Sequence, residues 1–181
     1  MANAKTALIV GASRGLGLGL VQRLQEDGWN ITATVRNPQQ PGALADVPGV
    51  HIEQLEMNDT AQLDSLKQRL QGQVFDLIFV NAGVMGPLPQ DLEAVQNKDI
   101  GDLFMTNAVA PIRVARRLVG QVREGSGVLA MHPGWVKTDM GGENAEIDVL
   151  TSTRGMLEQI KAQSGKGGLR FINYKGEPLI W

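Results

Sequence analysis

The feature that most constrains this chain is a short apolar run that ends in a cluster of glycines. Thr6 to Val10 (TALIV) is apolar after its first residue, which is typical of a strand buried on both faces of a sheet. GASRGLGLGL follows at once, with glycines at 11, 15, 17 and 19, and apolar residues then recur at helical spacing up to a stop at Gly28. The sequence therefore predicts a strand, a tight turn and a helix in direct succession.

Strands and helices alternate along the rest of the chain. The further predicted strands are Asn30 to Val35, Val50 to Leu55, Phe75 to Val80, Gly127 to Met131 and Leu169 to Tyr174. The further predicted helices are Thr60 to Leu70 with Asp59 as its N-cap, Ile100 to Val122 kinked at Pro111, and Ile147 to Gln163. Because parallel neighbouring strands need helical crossovers, we expect a doubly wound α/β fold with a parallel sheet of about six strands. We expect residues 1–181 to form a single domain.

The composition argues against several classes of partner. Hydrophobic residues make up 43% of the chain, charged residues 20%, and the net charge is −2, so no basic field favours nucleic acid or a membrane surface. The chain has no cysteine and only two distant histidines, so we expect no disulfide and no metal site. No apolar run is long enough for a bilayer span or a signal peptide, and we therefore expect a soluble, cytoplasmic protein.

The glycine cluster predicts a binding site for a diphosphate. Gly11 would permit the tight turn, Gly15 would let backbone N–H groups approach a pyrophosphate, and Gly17 would let the helix pack closely on the strand. The spacing G-x-x-x-G-x-G differs from the commoner G-x-G-x-x-G, so the prediction depends on the position of the cluster between strand and helix. The alternative is a purely structural turn.

The end of the second predicted strand indicates which dinucleotide would bind. An acidic residue there would accept the ribose hydroxyls of NAD, but the sequence reads TATVRNP and has Arg36 at that place. Arg14, in the glycine loop, adds a second guanidinium, and two forked donors suit a 2′-phosphate. We therefore expect NADP(H) rather than NAD(H), the alternative being that Arg36 is a solvated surface charge.

Together with three later motifs, the glycine loop resembles the short-chain dehydrogenase/reductase family. Asn81-Ala82-Gly83 resembles its fourth-strand motif, Asn107 in FMTNAVAP its helix asparagine, and HPGWVKTDM its proline-glycine-and-threonine segment. The tail FINYKGEPLIW is similar to the C-factor-like carbonyl reductase branch. The resemblance runs from Thr6 to Trp181 and implies a Rossmann fold that transfers hydride between NADPH and a small carbonyl or alcohol.

The resemblance also implies a role for each matching position. The residues that would wrap the phosphates are Gly11, Ser13, Arg14, Gly15, Leu16 and Gly17. Arg36 would meet the adenosine phosphate, and Met57 would lie beside the adenine. The residues that would line the ribose are Asn81, Ala82 and Gly83, and those that would hold the nicotinamide carboxamide are Pro133, Gly134 and Thr138. Asn107 would be the retained member of the catalytic tetrad.

The proton donor that the family uses has no match in this sequence. The resemblance implies a tyrosine made more acidic by a lysine four residues later, with an orienting serine on the preceding strand. The chain has one tyrosine, Tyr174, with Pro178 four positions on, so we interpret it as a packed aromatic residue. Ser126 precedes the fifth predicted strand instead of following it, and is a poor match for the serine.

The stretch GVLAMHPG suggests where the missing residues would have been. In the family one strand delivers the serine, a helix carries the tyrosine and lysine, and the next strand ends in Pro-Gly; here a single strand serves as both. We therefore expect one βα unit fewer than the family norm, through an internal deletion or a skipped segment, with the fused strand beside the fourth strand. The lost helix often packs against a partner subunit, so a homo-oligomer would lack its usual interface.

The sequence is compatible with two functions. The chain is either an impaired NADP(H)-dependent reductase with a small carbonyl or alcohol substrate that the sequence does not identify, or a non-catalytic NADP(H)-binding or scaffold protein. The missing proton donor favours the second, while the cofactor motifs and Asn107 favour the first for the parent family.

Overall fold

A computed structural model describes residues 4–86 and 93–180 of the chain. The strands are β1 (Thr6–Val10), β2 (Asn30–Val35), β3 (His51–Gln54), β4 (Leu77–Val80), β5 (Val128–His132) and β6 (Leu169–Asn173). The helices are α1 (Gly15–Glu26), α2 (Thr60–Arg69), α3 (Asn97–Phe104), α4 (Ala110–Leu118) and α5 (Val149–Gln163). The alternation confirms the predicted α/β class, and β1 and β2 have the predicted bounds.

Four of the strands form one parallel sheet in the order β3-β2-β1-β4. The central strand β1 is the apolar run of the sequence, and its residues from Ala7 to Val10 are at most 1% exposed. Ala7 and Ile9 pack against α1 and α5 on one face, while Leu8 and Val10 pack against α2 and α4 on the other. Because both faces of the sheet are covered by helices, the strand needs apolar residues at every position.

The expectation that the fused strand lies beside the fourth strand is wrong. β5 pairs in parallel with β6, and the two form a separate two-stranded sheet. One rung does form beside β4, where the N–H of Phe75 donates to the carbonyl of Gln121 (2.7 Å) and that of Arg123 donates to the carbonyl of Phe75 (2.9 Å). A turn then redirects the chain, with Gly125 at φ +80° and the Ser126 N–H bonded to the Arg123 carbonyl. Within the described residues, β4 therefore has β1 as its one strand partner.

The long helix predicted over Ile100 to Val122 is divided into parts. It begins earlier, at Asn97, and a π-helical turn over Met105–Val109 separates α3 from α4. Pro111 lies in the first turn of α4, where its missing N–H costs no helical hydrogen bond. The predicted kink is thus a π turn just before the proline, a form of irregularity that is frequent at functional sites.

Aspartates cap two of the helices. Asp59, the predicted N-cap of α2, accepts from the N–H groups of Ala61 (2.9 Å) and Gln62 (3.0 Å). Asp148 caps α5 in the same way through the Thr151 N–H, at 2.7 Å, and this hydrogen bond holds the pKa of Asp148 below its ordinary value. Among residues 4–86 and 93–180, none of the helices combines the length and apolar character needed to cross a membrane.

Candidate functional site

The glycine turn between β1 and α1 is tightly packed at Gly11 and Gly17 and less tightly packed at Gly15. Gly11 has φ +83°, and a methyl group built on it would lie 2.6 Å from Ala82 Cβ. A methyl group on Gly17 would lie 2.1 Å from the carbonyl oxygen of Gly11. By contrast, a methyl group on Gly15 (φ +58°) would meet only Thr138 Cγ2, at 3.8 Å. The turn is therefore too tight for a side chain where helix meets strand, and at Gly15 it has room for a methyl group in van der Waals contact with Thr138.

The N-terminus of α1 lacks the side-chain cap that α2 and α5 have. Its N-cap is Arg14, whose side chain makes no capping hydrogen bond. Since the first N–H groups of a helix have no partner within the helix, an uncapped end suits an anionic ligand, which the positive end of the helix dipole also favours. The residues present thus fit a phosphate group at this place.

Side chains at the ends of β2 and β4 bind the backbone of the glycine turn. Asn81, which follows β4, donates from Nδ2 to the carbonyl of Gly11 at 3.1 Å. The N–H groups of Asn81 and Ala82 donate to the Val10 carbonyl, and the Gly11 N–H donates to Thr34 Oγ1 at 3.2 Å. The predicted Asn81-Ala82-Gly83 motif therefore lies directly against the glycine turn. Thr34 was missed in the sequence, because an alternating position in a buried strand gives no sign of a polar contact.

Asn107 projects from the π-helical turn and binds the chain just beyond this motif. Its Nδ2 donates to the carbonyl of Val84 and its Oδ1 accepts from the Val84 N–H, both at 2.8 Å. A methyl group on Gly83 would lie 3.3 Å from Asn107 Oδ1, so the asparagine is close to the end of the motif. Both ends of the side-chain amide thus bind the backbone of Val84, and they fix the loop after β4 to the π-helical turn.

The Pro-Gly segment after β5 is anchored from α5. Ser152 Oγ, which is buried, donates to the Pro133 carbonyl at 2.7 Å. Gly134 has φ +87°, and its N–H donates to Nδ1 of His132 at 3.1 Å. His132 is therefore a turn-stabilising residue at the end of its strand. Nothing in the sequence pattern distinguished Ser152 from an ordinary helical serine.

The single tyrosine packs behind the same segment. A methyl group on Gly134 would lie 3.0 Å from Tyr174 Cε1, and one on Gly155 of α5 would lie 2.8 Å from Tyr174 Cδ2. The ring also contacts the core cluster formed by β1, β2, α1 and α5. This agrees with the interpretation of Tyr174 as a packed aromatic residue.

A further contact joins the segment after the Pro-Gly turn to the glycine turn. Arg14 Nη1 lies 2.6 Å from Asp139 Oδ2, and the two side chains are 74% and 78% exposed. Thr138, the preceding residue, accepts the Gly141 N–H at Oγ1 and faces Gly15. The structure thus brings Arg14 and Gly15, near the beginning of the chain, next to Thr138 and Asp139 towards its end.

The remaining predicted residues lie apart from this contact. Arg36 is exposed at the end of β2, and its carbonyl accepts from Gln54 Nε2 at 3.1 Å. Met57 is only 4% exposed and packs in the core cluster of α2 and α4. Their roles beside the adenosine phosphate and the adenine remain predictions, as do the cofactor roles of the other predicted residues.

Comparison with known proteins identifies the family. Residues 5–129 match the family model described as short chain dehydrogenase, which is more than half of the chain. The chain belongs to the short-chain dehydrogenase family. This confirms the resemblance drawn from the sequence, and the match ends within β5.

Solved structures and a curated relative are similar over most of the chain. A short-chain dehydrogenase/reductase of Burkholderia multivorans with bound NADP has 29% identity and a TM-score of 0.90, covering 99% of this chain and 100% of its own. A carbonyl reductase of Pseudomonas aeruginosa PAO1 in complex with NADP has 28% identity and a TM-score of 0.88, with the same coverage. The C-signal protein of Myxococcus xanthus is 28% identical in an alignment of length 154 that covers 59% of this chain and 92% of that protein.

Proposed function

We propose that this short-chain dehydrogenase binds NADP(H) at the glycine turn and lacks the proton-donating pair of its family. The observation that carries the proposal is the turn itself, in which Gly11 and Gly17 allow a close approach of helix and strand and the following helix end has no side-chain cap. Helix N–H groups without a side-chain partner are what a diphosphate requires.

Two arginines support NADP(H) over NAD(H). Arg14 lies at the mouth of the turn and Arg36 lies exposed at the end of β2, where an NAD site would have a carboxylate. Guanidinium groups form charge-assisted hydrogen bonds to phosphate, so this pair suits the 2′-phosphate. The NADP-bound structures of the Burkholderia and Pseudomonas relatives also support this choice.

The other predicted residues would each bind a different part of the dinucleotide. Ser13, Leu16 and Gly17 would bind the phosphates with Gly11 and Gly15, Met57 would lie by the adenine, and the ribose would lie on the Asn81-Ala82-Gly83 motif. The residues that would hold the carboxamide are Pro133, Gly134 and Thr138. Thr138 supports this assignment, because its methyl group lies beside Gly15 of the glycine turn.

The chemistry that this chain adds to a bound cofactor is limited by its side chains. NADPH supplies a hydride when bound, but the carbonyl oxygen must also receive a proton. The sequence contains no tyrosine followed by lysine four residues later, and Tyr174 packs between Gly134 and Gly155. We therefore expect the protein to hold the nucleotide without turning over a carbonyl.

Reduction of a small carbonyl is the second candidate function. It is favoured by Asn107, which has its paired hydrogen bonds with Val84 in place beside the fourth-strand motif. A reductase would need a proton from water or from another side chain, because the family's donor is absent from the sequence.

Nucleotide titration followed by an activity assay separates these functions. NADPH and NADH would be titrated by fluorescence, and NADPH consumption would then be followed with a panel of small aldehydes and ketones. We expect NADPH to bind more tightly than NADH, with no carbonyl-dependent consumption. Brisk turnover would favour the reductase, and failure to bind either nucleotide would overturn the proposal.

A matched pair of variants tests the choice of nucleotide. Arg36→Ser should weaken NADPH binding about tenfold, the order of a lost charge-assisted hydrogen bond, and leave NADH binding unchanged. Arg113→Ser is the control, because Arg113 is equally a surface cation but lies on α4. Equal losses for the two variants would mean that only the overall charge matters.

A further inference from the structure

We propose that Asp139 competes with the cofactor's 2′-phosphate for Arg14 and so reduces the preference of this protein for NADPH over NADH. The inference rests on the proposed function, since it assumes that the nucleotide binds at the glycine turn. It adds a specificity-determining carboxylate that lies outside the glycine loop.

The ion pair lies where the glycine loop meets the segment after the Pro-Gly turn. Arg14 is the N-cap of α1, so its side chain starts at the place where the phosphates of a bound dinucleotide would lie. Asp139 follows Thr138, whose methyl group faces Gly15. The contact of 2.6 Å between Arg14 Nη1 and Asp139 Oδ2 therefore joins the glycine loop to the segment after Thr138 on their solvent-exposed side.

The carboxylate of Asp139 and the 2′-phosphate would compete for the same guanidinium group. A carboxylate and a phosphate both accept N–H groups from a guanidinium, and each adds negative charge beside the other. Arg14 cannot give its full donor set to a 2′-phosphate while one of its N–H groups points at Asp139 Oδ2. An NADPH molecule that binds Arg14 must displace the carboxylate or bind beside it against charge repulsion, and either reduces its affinity.

NADPH and NADH differ in the 2′-phosphate, the group that would compete with Asp139. NADH has no 2′-phosphate, so it can bind without disturbing the ion pair. The carboxylate therefore costs NADPH binding energy and leaves NADH binding unaffected. Because both side chains are more than 70% exposed, the ion pair is weak, and the effect on affinity is a small factor rather than an all-or-none switch.

Asp139→Asn is the variant that tests the inference. It removes the charge, keeps the size of the side chain and lies on an exposed position where folding should be unaffected. The matched control is Glu143→Gln, which makes the same change of charge at an exposed position four residues further along the same segment. An unchanged thermal unfolding midpoint would show that both variants are folded.

The readout is the affinity for each nucleotide in fluorescence titrations. We expect Asp139→Asn to raise NADPH affinity roughly two- to fivefold, the range for an exposed ion pair, with NADH affinity unchanged. Glu143→Gln should change neither affinity. In an Arg14→Gln background, the gain from Asp139→Asn should disappear, because the two residues act through one contact.

Several results would overturn the inference. An equal gain in affinity for NADPH and NADH in Asp139→Asn would show that Asp139 acts on a part that both nucleotides have. A gain in NADPH affinity that persists in the Arg14→Gln background would show that Asp139 acts through its charge at long range and not through Arg14. Unchanged NADPH affinity in Asp139→Asn would overturn the inference alone and leave the proposed function standing. If neither nucleotide binds to any variant, the proposed function fails and the inference fails with it.

Discussion

Two parallel strands of this protein, β1 and β5, come from similar apolar runs but lie in different surroundings. β1 has strands on both sides and helices on both faces, and Ala7 to Val10 are almost completely buried. In the described part of the chain, β5 has β6 as its one strand neighbour, and its first residue, Val128, is 65% exposed. The comparison shows that an apolar run supplies a strand but that its neighbours determine how much of it is buried.

The same contrast applies to function. The first region carries the glycine turn, which is fixed by contacts from β2 and from the end of β4. The second region contributes the Pro-Gly segment, which is anchored through Ser152 of α5. The part that would bind phosphates thus depends on the well-packed sheet, while the part that would hold the nicotinamide depends on a helix common to both regions.

The same substitution made in β1 and in β5 tests the difference in their burial. Val10→Ala should lower the free energy of unfolding by about 2–3 kcal/mol, because buried methyl groups are lost and a cavity is left. Val128→Ala should change it by less than about 0.5 kcal/mol, as expected for an exposed side chain. Urea unfolding measures both. Similar losses would show that β5 is buried in solution.

The packing of the glycine turn can be tested with two helical glycines. Gly17→Ala should cost about 2 kcal/mol, because the new methyl group would lie 2.1 Å from the Gly11 carbonyl oxygen. Gly101→Ala in α3, where a methyl group meets nothing within 4 Å, should instead stabilise the protein by about 0.5–1 kcal/mol. Thermal or urea unfolding of the two variants gives the difference. A neutral Gly17→Ala would mean that the turn is loose.

Asp76 tests the junction between the two regions. Its carboxylate accepts from Arg123 Nε at 2.6 Å, beside the rung where the chain turns away from β4, and from the Thr6 N–H at 2.9 Å. Asp76→Asn should cost about 1.5 kcal/mol at neutral pH, since hydrogen bonds to a charged group are lost. Asp46→Asn, at an exposed position in a short helical turn, is the control and should have little effect.

The contribution of Asp76 should also depend on pH. The hydrogen bond from Arg123, and those from Thr6, hold the pKa of Asp76 below its ordinary value of 3.8 in spite of burial. A group with a lowered pKa in the folded state stabilises fully above its unfolded pKa, and this stabilisation is lost as the pH falls through the folded value. The difference between wild type and Asp76→Asn should therefore be constant above about pH 5 and shrink below pH 4. A constant difference down to pH 2 would contradict this assignment.

Loss of either aspartate cap should have a small effect, and the two variants test whether the two regions unfold together. Asp59→Ala on α2 and Asp148→Ala on α5 should each cost about 1 kcal/mol. Equal losses with equal denaturant slopes would show that α5 unfolds together with the four-stranded sheet. A reduced slope in Asp148→Ala alone would instead show that α5 and the strands it anchors open separately.

Much of the fold could be predicted because its signals are local. The apolar run of β1, the glycines of the turn and the cap at Asp59 are all specified by residues close together in sequence. The division of the strands into two sheets could not be predicted, since GVLAM has the same pattern whichever sheet it joins. The turn at Gly125, which directs the chain away from β4, lies just beyond the short stretch that pairs with Phe75.

The candidate site follows the same rule. Its glycines and the Asn81-Ala82-Gly83 motif could be recognised, because each follows a predicted strand. The contact between Arg14 and Asp139 joins residues 125 positions apart, and Ser152 reaches the Pro133 carbonyl from another element. Such contacts depend on tertiary packing, which residue patterns alone do not specify.

The packing of Tyr174 between Gly134 and Gly155 has an evolutionary consequence. Since there is no room for even a methyl group at either glycine, neither position can accept a larger residue while the aromatic ring stays where it is. A smaller side chain at 174 would not free either glycine, because a methyl group on Gly155 would also lie 2.5 Å from the Tyr174 carbonyl oxygen and one on Gly134 would lie 2.7 Å from Ile147 Cδ1. Among descendants of this sequence, we therefore expect glycine to persist at 134 and 155 whichever residue stands at 174.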